Sequence, residues 1–137
     1  MVATLCCAGL ASVAGCNSRP TEPSPPETSR GLPAGFTEAE WGERLFASEG
    51  CGRCHSVDGR RGIGAPLDGL YGKTRHFLRG GSTVADSRYV RESVLHPNLH
   101  IVENYKAVMP SYEGRLTEAE LDALVAYIRS LSPTAAD

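Results

Sequence analysis

After Cys54 the sequence holds no further cysteine, although most of the chain is still to come. That absence argues against a structural zinc site, which needs a second pair of Cys or Cys/His ligands at comparable spacing. No βαβ pattern surrounds Cys51 and Cys54, so a thioredoxin-like dithiol lacks its usual setting. Neither sign of charge dominates, with 14 Lys/Arg against 16 Asp/Glu and a formal net charge of −2. Composition therefore argues neither for nor against a nucleic-acid partner, and no nucleic-acid motif is present. The apolar stretch from Val2 to Ala14 is too short to span a bilayer comfortably. No segment alternates convincingly between apolar and polar residues, so strands are not expected. Methionine is nearly absent too, Met109 being the only one besides Met1.

Against these absences stands Cys51-Gly52-Arg53-Cys54-His55, a C-x-x-C-H pentapeptide with the spacing of a covalent haem attachment site. Two thiols three residues apart on one helical turn can both form thioethers with the two vinyl groups of one porphyrin. The next residue, His55, is then directed at the iron as the proximal ligand. The competing readings are zinc, a redox dithiol or chance, and the first two lack the context they need.

The N-terminal part sorts separately. Val2 to Ala14 has the length of a signal-peptide apolar region. It ends in Val13-Ala14-Gly15-Cys16, which resembles the lipobox of bacterial lipoproteins, where cleavage precedes the cysteine and lipid is attached to it. No Lys or Arg precedes the stretch, so a positive charge ahead of it must come from the α-amino group or from upstream of Met1. The expected organisation is a signal peptide over residues 1–15 and a lipidated Cys16 with a tether over 16–35. A domain over 36–132 and a short tail over 133–137 complete it. Pro20, Pro23, Pro25, Pro26 and Pro33 exclude regular structure from the tether, which could reach on the order of 60 Å as polyproline at ~3.1 Å per residue. The domain that follows has about a hundred residues, short for a well-packed core without help, and a covalent haem would supply that help.

Within the domain, Thr37-Glu38-Ala39-Glu40 is a capping-box pattern, followed by Trp41, Leu45 and Phe46 on one helical face to about Ser48. Thr117-Glu118-Ala119-Glu120 repeats it ahead of Leu121, Leu124, Val125, Ile128 and Leu131, with Pro133 as the stop. A further helix is expected from Asp86 as cap to about Leu95. Gly-rich loops lie between, notably Gly59 to Gly72 and Gly80-Gly81. The architecture is all-α with long loops, of the kind a cofactor would give a surface to pack on.

Helix, C-x-x-C-H, Gly-rich loop, helix, Met-Pro loop and final helix together resemble the class I cytochrome c fold over residues 36 to 132. Gly42 and Phe46, with Leu124 and Tyr127, resemble that family's crossed terminal helix pair, where glycine permits close approach. Gly62-Ile63-Gly64-Ala65-Pro66-Leu67-Asp68-Gly69-Leu70-Tyr71-Gly72, Gly81-Ser82-Thr83-Val84, Tyr89-Val90-Arg91-Glu92-Ser93 and Val108-Met109-Pro110-Ser111-Tyr112 are similar to the cytochrome c domain of subunit II of caa3-type cytochrome c oxidases. No cupredoxin domain and no transmembrane hairpin accompany them, so the chain looks like that module as a free-standing lipoprotein.

The resemblance implies one covalent haem c held by Cys51 and Cys54, with His55 and Met109 as axial ligands. Met109 precedes a proline in the loop ahead of the last helix, and its soft, neutral sulfur favours ferrous iron. As a core filler it would have no such role, and His76, His96 and His100 are the rival ligands. The family's proximal histidine donates to a proline carbonyl. Here Ala65 stands at that proline's place and Pro66 one later, so the acceptor is the carbonyl of Ala65 or of Pro66. Tyr71, Tyr89, Tyr105 and Tyr112 are candidate donors near the haem or plain packing residues. From Cys51 to Arg91, eight basic residues (Arg53, Arg60, Arg61, Lys73, Arg75, Arg79, Arg88, Arg91) face three acidic ones (Asp58, Asp68, Asp86), a local net of +5. Such a zone either steers docking onto an acidic redox partner or is a solvated surface.

The function implied is a membrane-tethered electron carrier rather than an enzyme. It would sit at the outer face of the cytoplasmic membrane, or on an outer membrane facing the periplasm. Its expected partners are a redox donor and acceptor of the terminal-oxidase or quinol-oxidising kind, and no nucleic acid. The alternatives are a peroxidase-like haem enzyme with an open iron position, or a fixed subunit of a larger respiratory or denitrification complex.

Overall fold

Two of the three helices begin with the same local device. At Thr37 and again at Thr117 the threonine hydroxyl accepts from the N–H three residues on at 3.3 Å. The Glu at that position accepts the threonine N–H in return at 2.8 Å. Both reciprocal boxes satisfy amides that a helix start would leave unpaired. They open α1, Glu38–Ser48, and α3, Glu118–Ser130. The hydrogen bonds from Thr37 hold the exposed Glu40 carboxyl below its ordinary range. Between them α2, Ser87–Leu95, is capped by the Asp86 carboxylate, which accepts from the Tyr89 N–H at 2.8 Å. The computed structural model describes residues 31–133. The expected signal peptide, Cys16 and most of the tether lie outside them, as do residues 134–137 of the tail.

Where α1 crosses α3, Gly42 leaves no room for a side chain. A Cβ built there would lie 1.9 Å from the Ala123 carbonyl oxygen and 2.7 Å from the Tyr127 Cβ. The two backbones meet at that point, and Phe46 packs on Tyr127 with ring centroids 5.4 Å apart and planes at 56°. Around this crossing sit the buried side chains of Leu45, Leu124, Val125 and Ile128, with Ala123 fully buried beneath them. Arg91 joins α2 to α3 through Glu118 and Asp122. The end of α3 is tied back by the Ser132 hydroxyl, which accepts from the Tyr71 N–H at 3.0 Å.

The all-α architecture carries one small sheet that the sequence did not predict. β1, Thr74–His76, pairs antiparallel with β2, Ser82–Val84, in the register Thr74↔Val84, Arg75↔Thr83 and His76↔Ser82. Each strand has three residues, and in each only the middle one, Arg75 or Thr83, turns inward. With polar residues at both inward positions there is no apolar alternation to read. A bridge from Phe77 to Val102 then fixes the segment after α2 against this hairpin.

Residues ahead of α1 make a few contacts with the domain. Leu32 and Pro33 are half-buried, and a Cβ on Gly31 would meet that of Ala119 at 3.0 Å. Gly31 therefore lies beside α3. Among the described residues no helix is long and apolar enough to cross a membrane.

Replacing Gly42 with alanine tests the crossing. The clash is with backbone, which cannot rotate away, so Gly42→Ala is expected to destabilise the protein by about 3 kcal/mol. The unfolding midpoint in denaturant should fall accordingly; an unchanged midpoint would mean that the helices do not meet there.

Candidate functional site

The chain leaves α1 through Glu49 and turns at Gly50 into a 3-10 turn, Cys51–Arg53. Its carbonyl at Cys51 accepts from the N–H groups of Cys54 at 3.2 Å and His55 at 3.0 Å. This compact turn presents Cys51, Cys54 and His55 from one place, all three half-buried, with both thiols free. Burial pushes the Cys51 thiol up from its ordinary value.

His55 is held from two sides. Its Nδ1 lies 2.7 Å from the Ala65 carbonyl oxygen. A carbonyl can only accept, so Nδ1 carries a proton, and in the neutral imidazole Nε2 is then the nitrogen with the lone pair. Of the two carbonyls the sequence left open, Ala65 takes the bond and Pro66 does not. Gly64 lies against the ring, since a Cβ there would come within 2.5 Å of Cε1, 2.7 Å of Nδ1 and 2.8 Å of Nε2. The loop that carries both is fastened to the turn, with Gly64 N–H donating to Cys54 O and Leu67 N–H to Ser56 O, each at 2.9 Å.

Met109 is half-buried in the loop ahead of α3. Three bonds just beyond it pin that loop. Ser111 donates to the Leu95 carbonyl at 2.6 Å, Tyr112 N–H to Val94 O at 3.2 Å, and the Tyr112 hydroxyl to Glu49 O at 3.1 Å. The end of α2 and the end of α1 thereby set the Met loop. Burial raises the Tyr112 phenol, which keeps it a neutral donor.

Cys51, Cys54, His55 and Met109 all line one cavity of about 490 Å³ between the three helices. Its walls include Leu67, Leu70, Tyr89, Val90, Leu124 and Ile128, which belong to the hydrophobic core or pack with it. Protein interiors do not leave voids of this size, and the volume falls in the range of about 300–1,000 Å³ usual for cofactor sites. Two thiols, an imidazole with a free Nε2 and a thioether fit a covalently attached iron porphyrin. Arg75 adds a fourth kind of group. It reaches the cavity from β1, and its Nε is buried without a hydrogen-bond partner, an expensive state that a carboxylate on the bound group would relieve. The sequence reading counted Arg75 among surface charges because the hairpin that turns it inward was not visible.

The other candidates separate. His100 lines the cavity, stacked on Phe77 at 4.5 Å and 14°. His96 instead faces Glu113 at 3.6 Å, and His76 is exposed on β1. Tyr89, Tyr105 and Tyr112 line the cavity, whereas the Tyr71 hydroxyl pairs with Ser87 at 2.5 Å. Among the described residues no cluster of three or more His, Cys, Asp or Glu could hold a metal ion.

The model of one known family, described as Cytochrome c, matches residues 39–132. Covalently attached haem c is the cofactor that this domain implies, and Cys51, Cys54 and His55 fit its attachment motif.

Gly64→Ala probes the seat of His55. Its new Cβ must displace either the imidazole or the loop, at a cost of about 1–3 kcal/mol in the holoprotein. A lowered unfolding midpoint together with an altered low-spin ferric spectrum is expected; a variant identical to wild type in both would show that the ring does not rest on Gly64.

Proposed function

The chain belongs to the cytochrome c family, and from that premise we propose that it is a membrane-tethered monohaem carrier passing single electrons between respiratory redox partners. Members of the family are generally electron carriers rather than enzymes. The observation that carries the proposal is the pair of donors on one cavity: His55, oriented by Ala65, and Met109, on a loop pinned to α1 and α2. An iron ligated by both has no vacant position for peroxide.

When bound, haem c supplies a one-electron ferric/ferrous couple. Cys51 and Cys54 would hold it through thioethers, and His55 Nε2 would face the iron. The Nδ1–H bond to Ala65 fixes the ring's tautomer and angle and strengthens it as a donor. Met109 contributes a soft, neutral sulfur that favours the ferrous state, and the aliphatic walls exclude water, which raises the potential further. Because the loops that present both ligands are fastened to helices, little has to move between oxidation states. The tether reading rests on Val13-Ala14-Gly15-Cys16 and the proline-dense segment after it. It places the carrier at the outer face of the cytoplasmic membrane or on an outer membrane facing the periplasm. A domain on such a leash can meet more than one partner, among them a terminal oxidase or a quinol-oxidising complex.

Ligation separates carrier from enzyme. Ferric wild-type protein should show the weak red-edge absorption of methionine ligation, and the ferrous form should resist carbon monoxide. Met109→Ala should abolish the band, lower the potential and open the iron to small ligands or to His100, which already lines the cavity. High-spin wild-type protein that binds carbon monoxide and turns over peroxide would replace the carrier by a haem enzyme.

Lipidation is tested apart from redox chemistry. Labelled fatty acid should enter the wild-type protein, and Cys16→Ser should block both labelling and processing. A mature wild-type chain that begins elsewhere and carries no lipid would end the tether reading.

A further inference from the structure

Arg75 and His100 come from distant parts of the chain and meet on one wall of the cavity. Residues 74–77 alternate outward and inward, so Arg75 and Phe77 turn to the same side. The His100 imidazole lies flat on the Phe77 ring, with centroids 4.5 Å apart and planes at 14°. Two backbone links hold the segment that carries it: Leu78 N–H donates to Ile101 O at 2.8 Å, and Phe77 bridges to Val102. The hairpin thus brings a guanidinium and an imidazole to the same corner.

The protein answers neither group. Arg75 Nε is buried with no hydrogen-bond partner, and among the described residues the His100 ring nitrogens have none. Among the described residues the one carboxylate on the cavity wall is Glu49, which pairs with Arg115 at 3.2 Å. The other titratable or charged groups around His100 do not fill the gap. His76 and Arg79 on the hairpin and Glu103 on the loop are exposed. Tyr89 from α2, with Tyr105 and Lys106 from the loop, lines the cavity without bringing a negative charge. A buried donor left unpaired is costly, so the corner is built for an anion that arrives with the bound group.

We infer that Arg75 and His100 together hold the carboxylates of the bound haem, and that His100 takes up a proton from solvent when the iron is reduced and returns it on oxidation. The inference rests on the haem-carrier reading and deepens it by making the couple depend on pH. An imidazole is the side chain that changes charge between about pH 5 and 8. Reduction adds one electron and removes one positive charge from the iron, which favours the protonated imidazole nearby. His100 therefore binds its proton more tightly in the ferrous protein than in the ferric. By linkage the potential falls as pH rises between those two affinities, and it is level below and above them.

The test follows the His100 ring by NMR in the full-chain holoprotein, as a pH titration in each oxidation state, beside the potential over the same range. The proton affinity should be about three- to tenfold higher in the ferrous state, with the fall in potential confined to that interval. His100→Phe, which keeps a ring on Phe77, should level the potential there, whereas His76→Phe on the outward face of β1 should leave the fall in place. Arg75→Gln should move the interval to higher pH, because a neighbouring cation no longer opposes the proton, and Arg75→Lys should move it back. Should His100→Phe fail to fold, the wild-type NMR titration decides alone. Equal affinities in the two states, a fall that survives in His100→Phe, or an interval that Arg75→Gln leaves unmoved would overturn the inference. An iron that cannot be cycled reversibly would instead defeat the carrier reading; the ferric protein would still decide this one, since Arg75→Gln must raise the His100 proton affinity there.

Discussion

The backbones of α1 and α3 touch at Gly42 and Ala123, and the position of nearly every functional group follows from that contact. Because α1 is held there, its C-terminal end is held as well, and the turn bearing Cys51, Cys54 and His55 starts three residues beyond Ser48. The same end supplies the Glu49 carbonyl that receives the Tyr112 hydroxyl, so the Met109 loop inherits its place from α1 too. From the other side of the crossing, α3 contributes Leu124 and Ile128 to the cavity wall. A side chain at residue 42 would push apart the two helices that between them set the positions of His55 and Met109 and one wall.

Core and site are consequently the same structure. A domain of about a hundred residues has little interior to spare, and here the interior is divided by a cavity whose walls are its main aliphatic side chains. A bound haem would complete the packing that the protein atoms leave open. Arg75 is the polar counterpart: its buried, unpartnered Nε makes sense once the bound group carries carboxylates. Because thioethers would keep the group on the unfolded chain as well, its contribution to stability would come from the apolar surface it buries in the folded state.

Legibility in the sequence followed the range of the interaction. Capping boxes act over three residues, so both threonine-initiated helices and the Asp86 cap could be read with their boundaries. The attachment pentapeptide is equally local. Gly42 was legible through the resemblance to the family's crossed terminal helix pair, where glycine permits close approach. Choosing Ala65 over Pro66 depends on how a loop ten residues away returns to His55, which no spacing encodes. The hairpin escaped because its inward positions, Arg75 and Thr83, are polar and its strands are only three residues long. With the hairpin went the direction of Arg75. A Cys51–Arg91 charge count could not anticipate that Asp58, Glu118 and Asp122 would neutralise two of its members.

Charge counts and charge patterns therefore diverge in this protein. What a partner meets near the cavity depends on which cations lack a carboxylate, and Arg61 owes its availability to contacts that hold it without discharging it. An ion pair would fix the guanidinium equally well but would cancel its field; the Tyr105 ring and the Asn104 carbonyl fix it and leave the field intact. The left-handed turn at Asn104 presents that carbonyl on the segment that runs on to Met109. One loop thus carries both the Asn104 turn and Met109. Its attachments to β1, α2 and the end of α1 set the two together.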